Sequence, residues 1–180
     1  MKPIPFYVLD TVHYMKSEFL DDETYGKALA CFVLVTTDCL IVDRSKKTVY
    51  LAKRKAKPMS DQWWFVGGRT KAGEHPEKAM ERCFRRETGL VLVPERFEYV
   101  TINEYLFPDR QQLPQEIGTH TISRLYCVEL STDEIASASN SLDANEYHVG
   151  GLKKFTLETL QSEGVHESVI AATQLIFSNE

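Results

Sequence analysis

A mixed β-sheet sandwiched between α-helices, in an α/β (α+β) arrangement, is the fold this sequence predicts. Three observations predict it. Runs rich in β-branched and aromatic residues come first, then a sharply punctuated helix, more such runs, and a closing amphipathic helix. The length of 180 residues, 43% of them hydrophobic, suits one well-buried core and gives little reason to split into two domains. No internal repeat or low-complexity tract breaks the chain, which reads as one domain over residues 26–180 behind an N-terminal extension, residues 1–25.

Within the extension, residues 5–20 place Phe6, Leu9, Val12, His13 and Phe19 at loosely helical spacing before the acidic Asp21–Glu23 run. This predicts a short helix covering a sheet edge or a dimer contact. The block KALACFVLVTTDCLIVD, the polar turn Asp43–Lys47 and TVYLAKRK then read as two paired strands. After Pro58, DQWWFVGGR is a short aromatic strand ending in two glycines. One of its tryptophans should be buried while the other, Trp64 by choice, reaches a site to stack a base or sugar.

The next segment is a helix. Pro76 stands in its first turn, where proline fits, and Gly89 stands just past its end, where a left-handed cap is needed. FEYVTINEYLF and HTISRLYCVEL read as further strands around a polar loop, Pro108–Gly118. A second loop, Ser137–Gly151, leads into KKFTLETLQSEGV, and HESVIAATQLIF closes the chain as an amphipathic helix.

Charge and composition argue against several function classes. The net charge is −5 with no basic block, so the long-range field disfavours nucleic acid. IPFYVLDTVHYM is interrupted by Asp10 and His13 and reads neither as a signal peptide nor as a membrane span, so a soluble cytoplasmic protein is expected. Cys31, Cys39, Cys83 and Cys127 lie far apart with no C-x-x-C pair, which argues against a zinc knuckle or a disulfide framework. Cys31 and Cys127, inside apolar runs, read as buried thiols.

The predicted helix carries the chemistry. Residues three and four apart share a face, so Cys83, Arg86 and Glu87 form one neighbourhood while Ala79, Met80, Phe84 and Thr88 supply an apolar stripe. Gly67 and Gly68 let the backbone pass close to Glu87, so that a main-chain carbonyl and a carboxylate can share one hard cation.

The spacing Gly68, Glu74, Arg82, Glu87, Gly89, Leu90 resembles the Nudix box, G-x5-E-x7-R-E-U-x-E-E-x-G-U with U aliphatic. The resemblance implies a Nudix-type fold and a Nudix hydrolase domain over residues 26–180. Two acids of the box are replaced, by Cys83 and Arg86. A box depleted in this way is similar to that of the GDP-mannose mannosyl hydrolases. In that branch a single magnesium sits on the diphosphate and water attacks the anomeric carbon of the sugar, so fewer carboxylates are needed and arginines share the charge work.

That resemblance implies a metal site of Glu87, Gly67 and Glu74 holding Mg2+ or Mn2+. It also implies catalytic or substrate-binding roles for Arg54, Arg69 and Arg82, with Arg82 either contacting phosphate or bracing Glu74. The family's base stands on a late loop, where this chain reads NEYH, which makes His148 the expected general base, His120 or Glu104 its alternatives, and His120 a substrate-binding candidate. Tyr147 replaces a ligating glutamine there, leaving water or Glu146 for that position. The expected substrate is a nucleotide sugar or another nucleoside diphosphate derivative and the expected assembly a homodimer. Two further readings stand beside this one: a conventional pyrophosphohydrolase that cleaves the P–O–P bond, with Glu87 and Glu74 sharing metals and Glu104 as base, and a nucleotide-binding domain without turnover.

Overall fold

The computed structural model describes residues 4–8 and 17–178. Helix α1 (Asp22–Cys31) leads into β1 (Leu34–Asp43), β2 (Thr48–Arg54), β3 (Trp63–Trp64) and β4 (Val66–Arg69). Helix α2 (Pro76–Thr88), β5 (Glu98–Phe107), β6 (Thr119–Glu129), α3 (Thr132–Asn140), β7 (Tyr147–Phe155), α4 (Leu157–Ser162) and α5 (Glu167–Ser178) complete the order. No helix among the described residues is long and apolar enough to cross a membrane.

The strands form one seven-stranded mixed sheet, in the order β3-β2-β1-β6-β5, with β4 added to β1 and β7 to β2. Strand β1 is its centre. It runs parallel to β6 from Leu34 opposite Thr121 to Val42 opposite Glu129, and is antiparallel to β2 and β4. Its apolar run Cys39–Val42 is buried on both faces. Leu40 and Val42 point into one core, with Trp64, Phe65, Phe155 and the residues of α4 and α5, among them Leu160, Val169 and Ile176. Cys39 and Ile41 point into the other, with Val66 and with Met80, Cys83 and Phe84 of α2. The mixed sheet between helices is therefore as expected, as are Pro76 at the start of α2 and Gly89 beyond it at φ 72°.

Three expectations are corrected. Residues 4–8 and 17–21 carry no helix, while Leu9, Val12 and His13 lie outside the described residues. The helix of this region is α1 instead, started by the Asp21 side chain accepting from the Thr24 N–H (2.9 Å) with Asp22 and Glu23 in its first turn. It takes in Lys27–Cys31, which read as strand, leaves Cys31 exposed, and spans the expected boundary at residue 25. Likewise, the Ser137–Gly151 loop holds the end of α3 and the start of β7. A capping box of Ser131 and Glu134 begins α3. Strand β7 was hidden by Gly150 and Gly151, both at positive φ, and by an irregular register against β2 between Ala52 and Arg54.

Candidate active site

A cavity of about 520 Å3 opens beside the β1–β4 pair. Thr36 and Asp38 of β1, Arg54 of β2, Gly67, Gly68 and Arg69 of β4, and Arg86 and Glu87 of α2 line it. Trp64 and Tyr105 form an aromatic wall, and Asn145 and Glu146 close another side. The packing of α2 over β4 sets the distance between helix and glycines. At Gly67 a Cβ would lie 2.2 Å from the Thr37 carbonyl oxygen and 2.5 Å from Asp38 Oδ1, so only hydrogen fits there.

That close approach delivers backbone to Glu87, which is 1% exposed. Glu87 Oε2 accepts from the Gly67 N–H at 2.8 Å and from the Tyr147 hydroxyl. Its other oxygen, Oε1, accepts from Arg86 Nη2 at 2.6 Å, and the same nitrogen donates to the Gly67 carbonyl oxygen at 3.1 Å. Burial pushes the Glu87 carboxyl up from its ordinary value, against the pull of Tyr147, Arg86 and the Gly67 N–H. Burial and the facing Glu87 likewise push the Tyr147 phenol far up, so it stays a neutral donor.

Of the other expected residues, Arg54 and Arg69 line the cavity. Arg54 donates from Nε to the Pro58 carbonyl oxygen (3.0 Å) and from Nη2 to Glu146 (3.3 Å). Arg69 stacks over the Tyr25 ring, 4.7 Å from its centroid. Arg82 grips Glu74 with two bonds, 2.6 and 2.8 Å, and donates to the Arg69 carbonyl oxygen at 2.9 Å. Glu74 also accepts from the Lys71 N–H. This pair braces the loop between β4 and α2. Trp64 is buried in the core with one side on the cavity.

The histidines lie elsewhere. His148 follows Tyr147 in β7, and since successive strand side chains point to opposite faces, the inward Tyr147 turns His148 outward, where Nε2 meets Asp61 Oδ1 at 2.8 Å. His120 pairs with Glu104 at 2.7 Å across β5 and β6. None of His148, His120 and Glu104 lines the cavity.

Asp38 and Tyr25 are among the cavity residues that the sequence reading did not name. Asp38 accepts from the Ser123 hydroxyl, and burial pushes its carboxyl up to about 6, partly offset by that bond. An acid flanked by the apolar run Cys39–Val42 was the available signal. Tyr25 comes from the segment read as an extension, and only the fold of α1 brings it beneath Arg69.

A divalent ion of the kind the depleted box implies makes definite demands on these donors. A magnesium ion takes about six oxygens at about 2.1 Å. Here the Gly67 carbonyl oxygen and Glu87 Oε1 are already joined by one Arg86 nitrogen, Glu87 Oε2 is taken by two donors, and Glu74 is held by Arg82. Among the described residues no group of three or more His, Cys, Asp or Glu is placed to hold a metal. Gly67 and Glu87 are thus adjacent but joined through Arg86, Glu74 is held apart from them by Arg82, and this arrangement does not fit the ion.

Comparison with known proteins gives three findings. The model of the NUDIX domain family matches residues 33–169. The 8-oxo-dGTP diphosphatase of Escherichia coli K12 is 32% identical over 71 residues, 39% of this chain, and the chain spans about half (54%) of that relative's length. Among solved structures, a MutT NUDIX hydrolase from Burkholderia pseudomallei aligns with TM-score 0.59 at 18% identity over 81% of this chain and 98% of its own. The NUDIX domain of Shewanella oneidensis NrtR, complexed with ADP ribose, aligns with TM-score 0.55 at 16% identity over 79% and 87%. These likenesses in structure establish the fold.

Proposed function

The chain belongs to the Nudix family, and on that premise we propose that it is a hydrolase of nucleoside diphosphate derivatives, with nucleotide sugars as its substrate class. One observation carries the reading: four arginines line a single cavity that has an aromatic wall of Trp64 and Tyr105, and while Arg110 is tied to the carbonyls of Gln112, Leu113 and Gly118, the guanidinium groups of Arg54, Arg69 and Arg86 face the cavity beside Glu87 and Asp38. Guanidinium forks match phosphate oxygens, and an aromatic wall suits a base or sugar ring. The Escherichia coli relative's being an 8-oxo-dGTP diphosphatase and the ADP ribose complex of the Shewanella oneidensis domain support the class of nucleoside diphosphate derivatives.

Nudix enzymes generally use divalent metal ions such as Mg2+. Since the donors of this chain do not fit one, its own residues carry the steps. The arginines hold the diphosphate and offset the charge it gains as a leaving group. Asp38 takes a proton from water at the cavity wall. That water oxygen bonds to the anomeric carbon of the sugar as the bond from that carbon to the phosphate oxygen breaks, releasing free sugar and nucleoside diphosphate, in the manner of the GDP-mannose mannosyl hydrolases.

The test is a panel of GDP-mannose, ADP-ribose and related nucleotide sugars in heavy-oxygen water. Label is expected in the sugar, and Asp38→Asn is expected to lower turnover by about 10²–10⁴-fold. Label in phosphate would instead establish P–O–P cleavage, and no turnover across the panel would refute the hydrolase reading.

A further inference from the structure

We infer that Arg86 is the built-in cation of this site: its guanidinium sits between the Gly67 carbonyl oxygen and Glu87 Oε1, and a ligand's diphosphate is received by it directly, without a divalent ion. This rests on reading the cavity as a diphosphate site.

Both oxygens that a hard cation would share are spanned by Arg86 Nη2, at 3.1 and 2.6 Å. The bridging nitrogen brings one positive charge to one carboxylate, so the pair is neutral before any ion arrives. Room for it is built into β4. A Cβ on Gly68 would lie 2.7 Å from Arg86 Nη2 and 3.2 Å from Cys83 Sγ, so the glycine accommodates the guanidinium and the small thiol together. Cys83 is fully buried and adds no carboxylate.

The rest of the guanidinium is available. The Arg86 side chain is 47% exposed, it lines the main cavity and also a neighbouring one of about 480 Å3, and its Nε and Nη1 make no hydrogen bond among the described residues. Arg69 lines both cavities as well, and Lys71 and Arg85 line the second. A diphosphate bound across Arg86 therefore meets cations on either side, which is the charge compensation that a metal supplies elsewhere.

The inference is tested by calorimetric titration of inorganic pyrophosphate into the full chain, once in EDTA and once in excess Mg2+, with Mn2+ alone titrated and followed by its paramagnetic resonance. Wild type is expected to bind pyrophosphate in EDTA and to leave Mn2+ free. Arg86→Gln should weaken pyrophosphate by about 10- to 100-fold in EDTA, and Arg86→Lys, which keeps the charge, should recover part of that. Arg86→Glu, which adds a carboxylate beside Glu87, should gain Mn2+ binding. Far-ultraviolet circular dichroism and melting curves confirm that each variant is folded, and should Arg86→Gln not fold, the wild-type titrations still decide. Pyrophosphate binding by wild type only with Mg2+, or stoichiometric Mn2+ binding by wild type, overturns the inference and leaves the hydrolase reading standing. No pyrophosphate binding in either buffer overturns the inference and the diphosphate site together.

Discussion

Replacing Asp38 by Asn should make the protein more stable, and the gain should depend on pH in a way fixed by where the carboxyl sits. Its ordinary value is 3.8 and the cavity wall raises it to about 6. Between those two values an unfolded chain has released the proton while the folded chain still holds it, so raising the pH through this window destabilises the fold. The cost is absent below about pH 4 and complete above about pH 6. A shift of about two units corresponds to about 3 kcal/mol, an upper figure because part of the side chain faces the open cavity. Asn mimics the protonated form and can still accept from Ser123, so any packing change cancels when the two proteins are compared at two pH values. Urea denaturation of wild type and Asp38→Asn from about pH 4 to about pH 7 should show the stability difference widen by up to about 3 kcal/mol in favour of Asn. A difference that stays flat, or narrows, would refute the placement of Asp38 as a poorly solvated acid.

Gly67→Ala should destabilise by more than about 2 kcal/mol in the same urea assay, because its Cβ would meet the Thr37 carbonyl oxygen at 2.2 Å and force β4 off β1. A loss below about 0.5 kcal/mol would mean that the strands are not held at this separation. For Glu134, Arg96 and the Ser131 N–H hold the carboxyl down at about 2, so its stabilisation is present above about pH 4.5 and is lost as pH falls through about 2. Glu134→Gln should therefore cost at most about 1 kcal/mol at neutral pH, the pair being part-exposed, and the cost should shrink in acid unfolding curves.

Much of the fold could be read along the chain because its signals are local. The apolar run Cys39–Val42 of β1, the Pro76 and Gly89 brackets of α2 and the amphipathic α5 each follow from their own residues. The misreadings share one cause, which is that the deciding partner lies outside the local window. β7 exists because β2 offers it an edge, and Gly150 and Gly151 mask its period. Helix α1 outcompetes a strand because the Asp21 cap and two acids at its N-terminus outweigh the apolar pattern of Leu29 to Val33. The site divides the same way. The glycines before α2 placed the backbone at Gly67 beside Glu87, but that Arg86 would turn back onto the same pair, or that Tyr147 would reach Glu87 from sixty residues away, could not be read from spacing.

Those two contacts also explain why the departures from the box form a set. Without acids at positions 83 and 86 to help hold a cation, a buried Glu87 would be left as a carboxylate with no counter-charge, a cost of several kcal/mol. A guanidinium at position 86 answers the charge, and a phenol at position 147 answers the second oxygen with a donor that burial keeps protonated. Gly68 gives the guanidinium its room, and Cys83 fills the adjoining space without adding charge. Any one of these residues alone would look like damage to a metal site. Taken together they compensate one another, which is what distinguishes a rebuilt electrostatic centre from an eroded one.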